Sequence, residues 1–177
     1  MSIFPNLTVA ENIAINNELY NHRKLVNWKS VKSIAKEALD HIGIELPLQA
    51  VVGELSVADK QLIAIARAIL NNSKLIIMDE PTSALTRKEV DKLFKVIRQL
   101  QKEGISTLFV SHKLDEVFEI ADQFTVFRNG KLVVADSAKN INDEQFVYYM
   151  TGRKLEEAAF TPVSYTHLRA HETTLHL

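Results

Sequence analysis

Several features are absent from this 177-residue chain. It contains no cysteine, which excludes both a disulfide framework and a cysteine-ligated metal site. Its 21 Lys and Arg residues balance 22 Asp and Glu residues without a basic run, which argues against a nucleic-acid partner. No apolar run approaches the roughly 18 residues that a membrane-spanning helix needs. What is present is 46% hydrophobic sequence, enough for one domain with a packed core.

The order of the apolar patterns predicts an α/β fold with a mostly parallel sheet. Two short apolar segments, "KLIIMDE" and "STLFVSH", predict strands that are buried on both faces. Residues 87–101 between them carry an amphipathic stripe typical of a helix, and Asn129-Gly130 predicts a hairpin turn. Further helices are predicted after a Thr8–Glu11 capping box, over 28–42, after an N-cap at Ser56, over 113–122, and between Asn142 and Gly152.

The stretch "LIIMDEPTSAL" places two adjacent carboxylates at the end of a predicted strand. The carboxyl ends of parallel strands are where α/β proteins bind ligands. Asp79 there suits Mg²⁺ held together with phosphate oxygens, and Glu80 suits orienting or deprotonating a water. The alternative is an ordinary strand-terminal turn, in which Glu80 and Pro81 only end the strand.

Three motifs in order resemble those of ABC-type ATPases. "LIIMDEPTSALT" resembles the Walker B segment and the D-loop, "LSVADKQ" lies where the signature motif belongs, and "FVSHKLDEVFEIAD" lies where the switch histidine belongs. The phrases "FPNLTVAENI" and "VFRNGKLV" are similar to the ATP-binding subunits of bacterial ribose- and galactose-type importers, in the first of their two fused ATPase domains. The resemblance covers the chain from Met1 to about Thr161.

The resemblance implies a role for each matching residue, with ATP and Mg²⁺ as ligands. Asp79 would hold Mg²⁺ through water, Glu80 would be the general base, and His112 would contact the γ-phosphate. The signature residues would contact ATP on a partner domain in trans, and the D-loop residues would cross the interface between the two domains. The signature set is Ser56, Val57, Ala58, Asp59 and Gln61, and the D-loop set is Ser83, Ala84, Leu85 and Thr86.

A purely structural role remains possible for two of these residues. The signature and the D-loop each depart from the family pattern. Ser56 also fits a plain N-cap, and a histidine after a strand is often structural. Val57 and Ala58 carry Cβ atoms where the usual signature has two glycines that let the backbone approach phosphate. Thr86 stands where the D-loop usually has Asp. These departures leave the hydrolytic competence of the signature open.

A glycine-rich loop bearing lysine, which a Walker B pair usually serves, is missing from the sequence. The fold is therefore expected to be an incomplete P-loop NTPase domain without its Walker A portion, and Met1 to be an internal methionine. We expect residues 1–71 to form the helical subdomain and 72–161 the C-terminal part of the ATPase core. Residues 163–173 resemble a translated sequencing-library adapter, so 162–177 are expected to be a disordered, adapter-derived tail. The alternative is a native tail, or a weak metal site from His167, His171 and His176.

The function implied is that of an ATP-hydrolysing importer subunit for monosaccharides, peripheral on the cytoplasmic face of the bacterial membrane. Its partners would be permease subunits, docked on the helical subdomain, a second ATPase domain and, indirectly, a sugar-binding protein, with no nucleic acid. Two alternatives remain: a soluble ABC-type ATPase unconnected with transport, and a non-catalytic interaction module.

Overall fold

The computed structural model describes residues 3–20 and 26–152. The described residues divide into two compact units between Phe124 and Thr125. The helices are α1 (Val9–Tyr20), α2 (Trp28–His41), α3 (Val57–Leu70), α4 (Arg87–Lys102), α5 (Leu114–Ile120) and α6 (Asp143–Thr151). The strands are β1 (Leu75–Asp79), β2 (Ser106–Val110), β3 (Gln123–Arg128) and β4 (Lys131–Ser137). The tail from 162 to 177 lies outside the described residues, so the adapter interpretation stays a prediction.

Helices α1, α2 and α3 contact one another at the start of the first unit. The predicted capping box begins α1, since the Thr8 backbone N–H donates to Glu11 Oε2 at 2.7 Å and the Glu11 N–H donates to Thr8 Oγ1 at 3.3 Å. Helix α2 has an N-cap at Asn27, which sequence reasoning did not predict, and ends before Gly43, whose φ is +65°. Among the described helices, none is long and apolar enough to cross a membrane.

Strands β1 and β2 pair in parallel, in a register that runs from Leu75 opposite Ser106 to Asp79 opposite Val110. Helix α4 connects them, and its predicted stripe is buried in the core: Val90, Leu93, Phe94, Ile97 and Leu100. The α/β fold with a parallel sheet and a helical part is therefore confirmed. Because the strands are parallel, their carboxyl ends meet at one edge.

The prediction that both strands are buried on both faces is wrong. Ile76 and Met78 of β1 lie in the core, whereas Leu75 and Ile77 on the other face are 54% and 58% exposed. On β2, Leu108 is 51% exposed. Within the described residues, only one face of this two-stranded sheet is covered by helices. The continuous apolar run is typical of a strand that is buried on both faces, but here the apolar side chains of one face are exposed to solvent.

The second unit contains the predicted hairpin, apart from the first two residues of β3, and the last helix. Strands β3 and β4 are joined at Asn129 and Gly130, whose φ values of +51° and +73° match the left-handed conformation that a tight hairpin turn needs. Helix α6 begins with a capping box between Asn142 and Gln145 and ends at Gly152 in a left-handed conformation. The division at residues 71 and 72 lies inside the first unit and remains a prediction.

Candidate functional site

The two predicted carboxylates lie at the end of β1, Asp79 as its last residue and Glu80 in the turn that follows. The Glu80 backbone N–H donates to Val110 O at 2.9 Å, which extends the pairing with β2 by one residue. Glu80 has a φ of +43°, a left-handed conformation that costs a non-glycine residue roughly 1–2 kcal/mol. The Ser83 N–H donates to Glu80 O at 3.3 Å and closes the turn.

Glu80 and His112 are brought together by the parallel pairing. Each follows the carboxyl end of its strand, and His112 Nδ1 lies 2.9 Å from Glu80 Oε1. Both side chains are largely exposed, at 64% for His112 and 48% for Glu80. The pair is therefore open to solvent and to a ligand. The structure thus joins the two residues that were predicted to be catalytic, although their roles stay predictions.

Asp79 ends β1 and is exposed beside this pair. The described residues contain no group of three or more His, Cys, Asp or Glu side chains that could hold a metal ion by themselves. Mg²⁺ bound with nucleotides commonly takes only one or two carboxylates, and phosphate oxygens and waters complete the shell. A single accessible carboxylate at the strand end therefore fits Mg²⁺ brought in with a phosphate ligand.

The signature segment begins α3 and is held by bonds within its own helix. The Ser56 hydroxyl donates to Asp59 Oδ2 at 2.9 Å and accepts from the Asp59 N–H at 3.1 Å, as the predicted N-cap requires. Val57 is exposed and Ala58 is buried. In the part of the chain described, the structure does not bond Ser56 to the Glu80–His112 pair. This separation agrees with a role in trans but does not test it.

Gln61 contacts the turn after β1 in its own chain, whereas the signature residues were expected to contact ATP on a partner domain. Its side-chain amide donates to Pro81 O at 2.5 Å, within the turn that follows Glu80. Gln61 thus connects α3 to the turn that carries the candidate base. Its predicted contact with nucleotide remains a prediction.

The D-loop residues lead from this turn into α4. Ser83 and Ala84 are exposed, and Leu85 packs partly against the core. Thr86 is the N-cap of α4, since its N–H and hydroxyl both donate to Glu89 Oε2 at 2.8 Å. These bonds lower the pKa of Glu89, the backbone bond most strongly. Threonine in place of the usual Asp therefore has a structural use as a helix cap here.

Sequence reasoning missed three residues beneath the pair: Thr82, Lys113 and Glu116. Thr82 and Glu116 are among the few buried polar side chains of the described residues, and the Thr82 hydroxyl donates to Glu116 Oε2. The signal was present in α5. Glu116 and Ile120 are one helical turn apart, so a carboxylate occupies the apolar face.

Comparison with known proteins finds similarity to ATP-binding proteins of ABC transporters. The family model described as "ABC transporter" matches residues 1–83. The ribose import ATP-binding protein RbsA of Bacillus licheniformis is 42% identical over 157 residues, which cover 89% of this chain and 32% of that protein. RbsA of Bacillus subtilis is 40% identical over 157 residues, which again cover 89% of this chain and 32% of that protein. The chain thus spans about a third of the length of these relatives.

Solved structures support the fold. The dimeric ATP-binding cassette MJ0796, in a post-hydrolysis state bound to ADP and Pi, is similar with a TM-score of 0.63 and 24% identity. The match covers 77% of this chain and 59% of that one. At this identity the similarity concerns the fold alone. The family model and the identity to the import proteins show that the chain belongs to the ABC transporter family, and the solved structures show the fold of an ATP-binding domain.

Proposed function

We propose that this chain is part of the ATP-hydrolysing subunit of a bacterial importer for monosaccharides. The observation that carries the proposal is the 2.9 Å contact between His112 and Glu80 at the carboxyl ends of two parallel strands. Relatives named as ribose import ATP-binding proteins support the transport process and the class of sugar. The sugar itself would be selected by the other components.

In this proposal, Glu80 takes a proton from the water that attacks the γ-phosphate. A positioned general base is typically worth roughly 10²–10⁴ in rate. The exposed Glu80 carboxylate is free to contact a water on the side away from His112. His112 holds the carboxylate in place and presents its ring to the terminal phosphate. Mg²⁺, when bound, would neutralise phosphate charge, with Asp79 as its protein ligand through water.

The signature end of α3 would act on ATP bound to a second ATPase domain. The N-terminus of a helix is a favourable place for phosphate, because its backbone N–H groups are free and its dipole is positive. Ser56 would contribute its hydroxyl after exchanging its present bond to Asp59. Val57 is exposed at this end, so its side chain would lie against the partner domain.

The permease would dock on the helical part of the first unit, which would place the protein at the cytoplasmic face of the membrane. A cavity of about 200 Å³ lies there, lined by apolar side chains that include Leu7, Ala14 and Val31. Trp28 and Val26 border it and are 56% and 51% exposed. An amphipathic helix of a permease would fill such a groove with two or three apolar anchors.

Two other functions are compatible with parts of this structure. A soluble ABC-type ATPase would use the same Glu80–His112 pair without a permease. A non-catalytic module would need neither. The import relatives favour the first proposal over both alternatives.

The test is ATP hydrolysis by the complete reading frame that contains this chain. We expect Glu80→Gln to lower kcat by about 10²-fold or more, because the amide cannot accept the proton. Glu37→Gln, at an exposed position on α2, is the matched control and should keep wild-type kcat. Wild-type hydrolysis that survives Glu80→Gln would refute the base assignment. An absence of hydrolysis in the wild type would favour the non-catalytic module.

A further inference from the structure

A largely buried polar cluster is formed by Thr82, Lys113 and Glu116, close along the chain to Glu80 and His112. Thr82 is 1% exposed and Glu116 is 3% exposed. A buried carboxylate is rare because its desolvation is costly unless it is paired and hydrogen-bonded. The buried Glu116 carboxylate therefore calls for a structural or functional explanation.

The cluster is fully bonded, and its bonds join three segments. The Thr82 hydroxyl donates to Glu116 Oε2. The Lys113 ammonium donates to Glu116 Oε1 at 3.1 Å and to Thr82 O at 3.0 Å. The turn after β1, the segment after β2 and helix α5 are thereby fixed to one another.

The cluster adjoins both members of the pair along the chain. Thr82 follows Glu80 by two residues, and Lys113 is the neighbour of His112. The pair itself is exposed, and Glu80 has an unfavourable left-handed backbone. Packing around the two side chains therefore does not hold them in place. The cluster bonds the same turn at Thr82 and can constrain it from its buried side.

We propose that Glu116, Lys113 and Thr82 are positioning residues that hold Glu80 and His112 at contact distance. Buried ion pairs often add little stability over apolar residues of the same size. A role in geometry explains why a carboxylate occupies this place in α5. The catalytic meaning of the inference rests on the proposed function, whereas the geometric part does not.

The first experiment observes isotope-labelled His112 by NMR in the full 177-residue chain, at low protein concentration. Thr82→Val removes the hydroxyl at nearly constant size, and Thr82→Ser retains it. Glu80→Gln marks the imidazole shifts of a weakened pair. We expect the His112 signals of Thr82→Val to move towards those of Glu80→Gln, and those of Thr82→Ser to stay near the wild type.

Two further variants keep this test decisive. Glu116→Gln preserves the volume of the side chain and should move the His112 signals as Thr82→Val does, so it replaces that variant if Thr82→Val does not fold. Ile97→Val removes one buried methyl group from α4 and controls for general loss of stability. A folded Thr82→Val or Glu116→Gln chain with unchanged His112 signals would overturn the inference. Equal changes in Ile97→Val would overturn it as well.

The second experiment measures steady-state ATP hydrolysis by the complete reading frame. A base displaced by a fraction of an ångström should lower kcat by about tenfold or more, while the KM for MgATP stays close to wild type. Thr82→Ser should restore most of kcat. If the wild type hydrolyses ATP and kcat is unchanged in Thr82→Val, the positioning role falls and the proposed function stands. If the wild type is inactive, the proposed function falls, and the NMR experiment still decides the geometry.

Discussion

Thr8 and Glu11 show how a single residue pair makes local stability depend on pH. The Thr8 hydroxyl and backbone N–H both donate to Glu11 Oε2, at 2.6 and 2.7 Å. These bonds lower the pKa of Glu11, the side-chain bond most strongly. The unfolded chain therefore binds this proton more tightly than the folded one. The stabilisation is complete above the ordinary pKa of glutamate and is lost as the pH falls through the lowered value.

We predict that Thr8→Ala lowers the free energy of unfolding by about 1 kcal/mol at pH 7, because α1 loses its N-cap. The variant should also lose less stability than the wild type below about pH 5, since Glu11 keeps only the backbone bond. Urea unfolding at several pH values at low protein concentration measures both effects. Thr8→Ser retains the hydroxyl and should behave as the wild type. An equal acid dependence in all three chains would contradict the assignment.

The candidate residues could be predicted where a local pattern carried them. Asp79 ends a strand, and Glu80 and His112 follow strands, whose apolar runs are plain in the sequence. Ser56 has its capping partner three residues on. Thr82 and Glu116 were missed because they are 34 residues apart and their burial depends on how the turn after β1 packs against α5. A contact of that separation leaves no periodic signal.

Among the elements, the helices were predicted well and the strands only in part. The amphipathic stripe of α4 fixes both its helical period and its buried face, and Glu103 and Gly104 end it as expected. The apolar runs predicted strands β1 and β2, and the order of strand, helix and strand predicted that they pair in parallel. They could not fix how many faces are covered, because coverage depends on packing partners outside the strand. Ile77 is therefore exposed in spite of its sequence context.

The groove beside α2 carries a prediction about docking. Trp28 is 56% exposed at the start of this helix, so Trp28→Ala should change stability little. If the permease docks there, losing an aromatic anchor should weaken binding by about 2 kcal/mol, or some thirtyfold in Kd. The measurement is the affinity of the complete reading frame for the permease of the same locus in detergent.

Phe127→Ala provides the matched control for this docking test. Phe127 is an aromatic residue of β3 that is 69% exposed and belongs to the second unit. We expect this variant to bind the permease as the wild type does. Equal losses in both variants would indicate non-specific apolar attraction, and no loss in Trp28→Ala would place the docking surface elsewhere.

At the scale of the whole molecule, the sheet of the first unit leaves an apolar face in contact with water. Leu75, Ile77, Leu108 and Val110 all lie exposed on β1 and β2. Exposed apolar patches and free strand edges favour association between chains. The 177-residue chain by itself is therefore expected to aggregate readily, and the experiments above call for low concentrations.

Nucleotide affinity is the last property that we predict for the chain as a whole. The sequence contains the predicted Walker B carboxylates and the predicted switch histidine but no glycine-rich loop with a lysine. In P-loop NTPases that loop and its lysine cradle the β- and γ-phosphates. The Glu80–His112 pair offers one carboxyl group and one imidazole and is exposed to water, so it cannot replace this cradle. We expect the Kd for MgATP to be weaker than about 1 mM. Titration calorimetry on the 177-residue chain measures this, with the complete reading frame as the positive control. Tight binding that requires Mg²⁺ and is lost in Asp79→Asn would contradict the prediction, because the phosphate site would then have to be built from residues present in this chain.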